Sequence, residues 1–304
     1  MTGDALQIAK TTKIGPFDTG RLAYGCWRFA GSTAAEAAQK VHAALEIGAN
    51  LVDTAAIYGF GAEGFGAAEE VLGAVYRAEK DLRARTVLVT KAGIHPPVPY
   101  DSRASNLIAS CEGSLARLGT DTIDVFLIHR PDLLASFEEV ADALTQLRQA
   151  GKIREAGVSN FTHTQIRALQ SKLDFPLVAS QPEFSPLAID PLEDGTLDIA
   201  QELNLAVMAW SPLGGGRLTA AHQPEAGTQE ARVLTVLEGI ATRESVGVDH
   251  VALAWVLAHP SNLIALIGTQ NVARIKDSAK VFDVRLSRQD WYDVLVAARG
   301  KAMP

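Results

Sequence analysis

Between residues 20 and 282, short apolar runs alternate with longer stretches in which apolar positions recur every three or four residues. A short apolar run bounded by turn residues reads as a buried strand, and the longer period reads as an amphipathic helix. Eight runs qualify, at residues 22–24, 51–52, 86–90, 123–128, 155–158, 177–180, 206–209 and 263–267. The intervening helical patterns carry their own end signals. "STAAEAAQKVHAALEIG" opens on Ser32 as N-cap and closes on Gly48, and "SFEEVADALTQLRQAG" runs from Ser136 to Gly151 in the same way. Strand followed by helix, eight times over about 250 residues, predicts a parallel (β/α)8 TIM barrel. A doubly wound sheet of that length would divide in two or use fewer strands. The expectation is one domain over residues 1–304. "LQIAKTTKIG" alternates with period two and predicts a small hairpin beneath the barrel, and "SRQDWYDVLVAARG", with Ser287 as cap, predicts an extra C-terminal helix. One long irregular connection remains, at residues 211–229, and such loops in a compact domain usually carry function.

Composition narrows the classes of function. With 28 basic and 35 acidic residues the net charge is −7, and no basic run is arranged to track a phosphate backbone, which argues against nucleic acid as a partner. No apolar stretch is long enough to span a bilayer, and the first residues lack a basic segment followed by an apolar one, so a cytoplasmic protein is expected. The two cysteines, Cys26 and Cys111, are too few for a disulfide framework or a zinc cage, and both read as reduced thiols.

In such a barrel, chemistry sits where strands end. The second strand delivers Asp53, with Tyr58 five residues on; the third delivers Lys91 and the fourth His129. A lysine ending an apolar strand needs an acid partner, because a buried ammonium is costly alone, and Asp53 on the adjacent strand is that acid. A tyrosine beside this lysine is a general acid whose phenol is expected to be lowered by the nearby positive charge, able to protonate a carbonyl oxygen as its carbon accepts hydride. His129 would orient the carbonyl or relay the proton. No metal-ligand spacing occurs at these ends.

These residues, in "VDTAAIYG", "LVTKAG" and "FLIHRPD", resemble the catalytic tetrad of the aldo-keto reductase superfamily, and the likeness runs over nearly the whole chain. It implies a nicotinamide cofactor and a small carbonyl or alcohol substrate (aldehyde, ketone or aldose). Ser159, Asn160 and Gln181 would surround the carboxamide, with Trp210 stacked on the ring. Ser211, Pro212, Leu213, Gly215 and Arg217 would form the pyrophosphate loop. Cys26 and Trp27, in "GCWRF", would lie beside the ribose. Gly268, Thr269, Gln270, Arg274, Asp277 and Ser278 would hold the adenosine end. Thr269 and Arg274 match members that prefer NADP, Ser278 replaces the usual Asn, and no lysine occurs at 268–271, so NADP is favoured with NAD as the alternative. Within the superfamily, "MAWSPLGGGRL" and the C-terminal segment resemble a bacterial group of cytoplasmic oxidoreductases. Two other readings share these residues: a dehydrogenase of sugar lactols or secondary alcohols, and a cofactor-sensing binding protein on the same scaffold. Oligomeric state is left open.

Gly59, Gly61 and Gly64 form a literal G-x-G-x-x-G. Its register is wrong for a dinucleotide turn, because six residues separate Val52 from Gly59. The stretch "FGAEGFGA" is instead expected to be a mobile insertion at the substrate rim. Trp27, Phe29, Ile57, Phe60, Phe65, Ile94, His95, Pro96 and Tyr100 are expected to line a partly apolar pocket.

Overall fold

A computed structural model describes residues 5–304. In chain order the elements are β1 (Thr11–Ile14), β2 (Phe17–Gly20), β3 (Leu22–Gly25), α1 (Ala34–Glu46), β4 (Leu51–Asp53), α2 (Ala67–Ala78), α3 (Lys80–Ala84), β5 (Val87–Ala92), α4 (Ala104–Leu118), β6 (Ile123–Ile128) and α5 (Phe137–Gln149). There follow β7 (Ile153–Ser159), α6 (His163–Gln170), β8 (Ala179–Gln181), α7 (Thr196–Glu202), β9 (Ala206–Ala209), α8 (Gln229–Glu244), α9 (Val248–Leu257), β10 (Leu263–Ile267), α10 (Val272–Asp277) and α11 (Arg288–Arg299). Strands β3 to β10 close into an eight-stranded parallel barrel, with β10 pairing with β3. The TIM barrel, the N-terminal hairpin and the extra C-terminal helix are therefore all present.

Several boundaries move by a few residues. The hairpin is β1–β2, five residues further along than "LQIAKTTKIG" suggests, and it sits at the strand N-termini, where Asn262 Nδ2 donates to Lys13 O and Asn50 Nδ2 to Asp18 O. The N-cap of α1 is Thr33 rather than Ser32. Thr33 Oγ1 accepts from Glu36 N while Glu36 accepts from Thr33 N, a reciprocal box that Ser32 cannot make because no acid stands three residues after it. Ser136 and Ser287 cap α5 and α11 as their sequences indicate.

Two separate apolar clusters follow from the strand period of two. Leu22, Tyr24, Val52, Leu88, Phe126, Ile128, Val158 and Val207 pack outward against the helices. Ala23, Leu51, Val87, Val89, Val125, Leu127, Met208, Ile264 and Leu266 fill the barrel interior. Stepping two residues on from the last interior apolar position of every barrel strand except β7 gives Gly25, Asp53, Lys91, His129, Gln181, Trp210 and Gly268. The layer that holds Asp53, Lys91, His129 and Gln181 is thus the top storey of an apolar interior.

Candidate active site

Register brings the charged pair together. Asp53 is level with Val89 on β5, one interior step below Lys91. Lys91 Nζ donates to Asp53 Oδ2 at 2.8 Å, to the carbonyl of Thr54 at 2.8 Å and to Tyr58 Oη at 3.1 Å. Lys91 is fully buried, so these three acceptors replace its whole hydration shell. Asp53 Oδ1 accepts from Gln181 Nε2 at 2.9 Å, and the backbone carbonyl of Asp53 accepts from Cys26 N at 2.8 Å. Asp53 is therefore fixed at both ends. The His129 ring stands edge-on to Tyr58, with centroids 5.9 Å apart. Its buried Nδ1 has no hydrogen-bond partner among the described residues.

The electrostatics of this group differ from the expectation for Tyr58. Burial raises the phenol, Lys91 pulls it back and Asp53 raises it again, so that its pKa lies above the ordinary value rather than below it. Lys91 is already paired with Asp53, and what remains of its field at the phenol is smaller than the cost of burying a phenolate there. For Lys91 itself, burial favours loss of the proton. Asp53 and Tyr58 more than offset it, and the amine is held as ammonium above its usual range. Burial, then Lys91 and Arg130, push His129 well below the ordinary histidine value, so the imidazole is neutral at pH 7. A protonated phenol, bonded to an ammonium and flanked by a neutral imidazole, can give a proton to an oxygen placed beside it.

The strands across the barrel carry a second polar chain. Ser159 Oγ donates to Gln181 O at 2.9 Å, Asn160 Nδ2 donates to Ser159 Oγ at 2.7 Å, and Trp210 Nε1 donates to Asn160 Oδ1 at 3.0 Å. The half-buried indole of Trp210 is thereby set in place by Asn160, which adopts a left-handed φ of 58° that asparagine tolerates better than most residues. After Trp210 the chain turns through Ser211, Pro212 and Leu213 into Gly214–Gly216. The three glycines all have positive φ, and a Cβ on Gly214 would stand 2.8 Å from Leu187 Cδ1. Gly215 and Gly216 face open space, and Arg217 is tied beside them by Gly214 O at 2.7 Å and Glu230 at 2.5 Å.

Around β10 the sequence-predicted residues divide. Gln270 Nε2 donates to Tyr24 Oη at 3.3 Å, and Tyr24 donates to Thr269 O at 3.1 Å. Arg274 is exposed, and its guanidinium has no partner among the described residues. Asp277 is already engaged with Lys280 at 2.6 Å and His250 at 3.1 Å. Ser278 is buried and its hydroxyl donates to Arg274 O. Cys26 is also fully buried, so its thiol is part of the packing. Two residues absent from the sequence reading contact this turn: Arg28, whose Nη1 donates to Gly268 O at 3.2 Å, and Lys40, whose Nζ donates to Gln270 Oε1 at 2.7 Å. Lys40 had a signal in the sequence, since it interrupts the apolar stripe Ala37, Val41, Ala44 of α1.

The rim is unevenly apolar. Trp27, Phe60, Val98, Tyr100, Leu133 and Leu134 are exposed, and all lie in the loops after β3 to β6. Phe29 is not at the rim; it is fully buried under Tyr24, with ring centroids 5.7 Å apart. The glycine-rich loop folds on itself, with Gly64 N donating to Gly59 O, and Phe65 packs on His95 and under the Arg117 guanidinium. Gly59 has a φ of 103°, and a Cβ there would lie 2.6 Å from Gly64 O, so tight folding by itself demands this glycine.

A model of the aldo/keto reductase family matches residues 21–295. The chain is 50% identical to a 6-dehydroglucose reductase of Novosphingobium aromaticivorans, over 93% of each chain. It is 38% identical to a 6-dehydroglucose reductase of Agrobacterium fabrum, over 97% of this chain and 98% of that one. Among solved structures, it resembles the glycerol dehydrogenase AKR11B4 of Gluconobacter oxydans with a TM-score of 0.81 at 27% identity, covering 100% of this chain and 98% of that one.

Proposed function

The chain belongs to the aldo/keto reductase family, and from that premise we propose that it reduces the carbonyl group of an oxidised hexose, of the class represented by 6-dehydroglucose, with NADPH preferred over NADH. The observation that carries this reading is the Tyr58 hydroxyl, 3.1 Å from an ammonium buried in the barrel interior. The substrate class rests on the two relatives named for 6-dehydroglucose.

The residues present fit a nicotinamide dinucleotide. Gly215 and Gly216 have positive φ and open space beside them, the Arg274 guanidinium has no partner among the described residues, and Trp210 offers an indole fixed by Asn160. The bound cofactor supplies the hydride. Tyr58 supplies the proton, from Oη to the carbonyl oxygen, at the moment that oxygen gains negative charge. Lys91 remains ammonium throughout and stabilises the phenolate left behind, while Asp53 holds Lys91 and Gln181 holds Asp53. Neutral His129 borders the same space and orients the carbonyl oxygen toward Tyr58. A raised phenol favours the reductive direction at neutral pH over lactol or alcohol oxidation, because reduction starts from the protonated form.

Steady-state assays with 6-dehydroglucose, simple aldehydes and ketones test the reading, with Tyr58→Phe as the control. The variant is expected to bind cofactor with unchanged Kd, read by tryptophan fluorescence, while kcat/KM for reduction falls by about 10²- to 10⁴-fold. Near wild-type turnover in Tyr58→Phe would remove it from the acid role. No turnover of any carbonyl by the wild type would favour a cofactor-binding function.

A further inference from the structure

Five arginines are half-buried: Arg21, Arg83, Arg117, Arg130 and Arg299. Four of them have acceptors. Arg21 bonds the carbonyls of Leu257 and Leu263, Arg83 pairs with Asp124, Arg117 with Glu69 and Arg299 with Glu193. Arg130 alone has no hydrogen-bond or ion-pair partner among the described residues. Glu183 is a matching acid, half-buried and without a donor among the described residues.

Both residues stand at the barrel mouth on a fixed backbone. Arg130 directly follows His129, and the chain is pinned on either side of it. Asn160 Nδ2 donates to His129 O at 3.4 Å, and the Asp132 carboxylate accepts from Ser102 N at 2.8 Å and Leu134 N at 2.9 Å. Glu183 lies two positions on from Gln181 and level with Trp210 across a parallel bridge, which puts its side chain on the interior face of the sheet. Pro182 O accepts from Trp210 N at 3.0 Å, and Phe184 N donates to Trp210 O at 3.4 Å. The two charges share one space: burial raises the Glu183 carboxyl, Arg217 and then Arg130 pull it down, and Asp190 raises it again. Arg217 is engaged by Gly214 O and Glu230, which leaves Arg130 as the cation with open donors.

A guanidinium only donates and a carboxylate only accepts, whereas a hydroxyl does both. A run of hydroxyls entering between Arg130 and Glu183 satisfies the two together and replaces the water that each gives up. An acidic substrate would satisfy Arg130 but meet Glu183 as a like charge, and an alkyl chain would satisfy neither. We propose that Arg130 and Glu183 are the specificity residues for the hydroxyl-bearing end of a neutral polyhydroxy aldehyde whose carbonyl lies at Tyr58. This deepens the oxidised-hexose reading and rests on it. The guanidinium donates to the hydroxyl oxygens nearest His129, and the carboxylate accepts from those nearest Trp210.

Steady-state kcat/KM for 6-dehydroglucose, hexanal and succinic semialdehyde tests this. Hexanal has six carbons and an aldehyde but no hydroxyls, and succinic semialdehyde adds an acid. Arg130→Met is expected to lower the ratio of 6-dehydroglucose to hexanal by about 10- to 100-fold, chiefly through KM, with Arg130→Lys restoring part of it. Arg130→Gln serves if Arg130→Met does not fold. Glu183→Gln is expected to raise the ratio of succinic semialdehyde to 6-dehydroglucose by about tenfold. An equal loss on 6-dehydroglucose and hexanal in Arg130→Met would show that the arginine acts on His129 or on the fold, and would overturn the proposal. An unchanged ratio in either the Arg130 or the Glu183 variant would overturn it too, while leaving the hexose reading in place. A wild type that reduces hexanal but not 6-dehydroglucose would overturn the hexose reading and the proposal together.

Discussion

Burial sets the protonation state of Tyr58 before any neighbouring charge does. The pair Lys91 and Asp53 is close to neutral as seen from the phenol, so Lys91 is more effective at stabilising a phenolate once formed than at generating one at rest. A pH dependence follows, and its sign differs between directions. If Tyr58 is the proton donor, as proposed, reduction needs the protonated phenol, present throughout the neutral range, so kcat/KM for reduction is expected to be flat from pH 6 to pH 8. Oxidation of the corresponding alcohol needs the phenolate, so its kcat/KM is expected to climb with pH across the same range and beyond the ordinary tyrosine value. An oxidation profile that levelled off near pH 8 would show that the phenol is lowered after all. Sequence spacing places Tyr58 beside Lys91 but cannot weigh burial against charge, since the Asp53 contact that quenches Lys91 depends on barrel register.

At the scale of the element, the interior storeys depend on one strand having no side chain at a particular level. Gly157 on β7 stands where a Cβ would lie 2.6 Å from Ala179 O and 2.7 Å from Leu127 Cδ2. The neighbour is backbone of the adjacent strand, which cannot yield without spreading the barrel. Gly157→Ala is therefore expected to cost about 1–3 kcal/mol by overpacking. Gly239, exposed in the middle of α8 with nothing within 4 Å of a Cβ, is the opposite case. Gly239→Ala is expected to stabilise by about 0.5–1 kcal/mol through helix propensity. Urea unfolding of the two variants checks both signs. The strands themselves were legible as apolar runs, and the strand-end residues as the next interior position along each run. Helix ends were less legible, because Ser32 and Thr33 are both acceptable caps until Glu36 is seen to reach back to Thr33. The contacts of Lys40 and Arg28 were not legible, because their partner, the turn at Gly268–Gln270, lies more than 200 positions away.

Across the whole molecule, the site is bought at some cost to stability in acid. His129 is neutral in the fold, with its pKa pushed well below the 6.5 of an exposed histidine, mainly by burial. The unfolded chain binds that proton more readily, so stability is complete above about pH 6.5 and is lost as pH falls from there toward the folded value. One unit below 6.5, this one group is expected to remove about 1.4 kcal/mol. Urea midpoints of the wild type and of His129→Phe, compared at pH 7.5 and pH 5.5, measure it. The variant should lose less between the two pH values, and an equal loss would exclude His129 as the source.

The bond between Gln181 and Asp53 spans 128 positions of chain and exists only inside a closed ring of strands. Trp210 and the turn after β10 come later still. No fragment that stops short of the last strand, and no copy trapped with the ring open, owns an assembled set of these groups. On the proposed role of Tyr58, competence would therefore report completed folding: a copy with the ring open lacks the bonds that hold Asp53 and, through it, Lys91 beside the phenol.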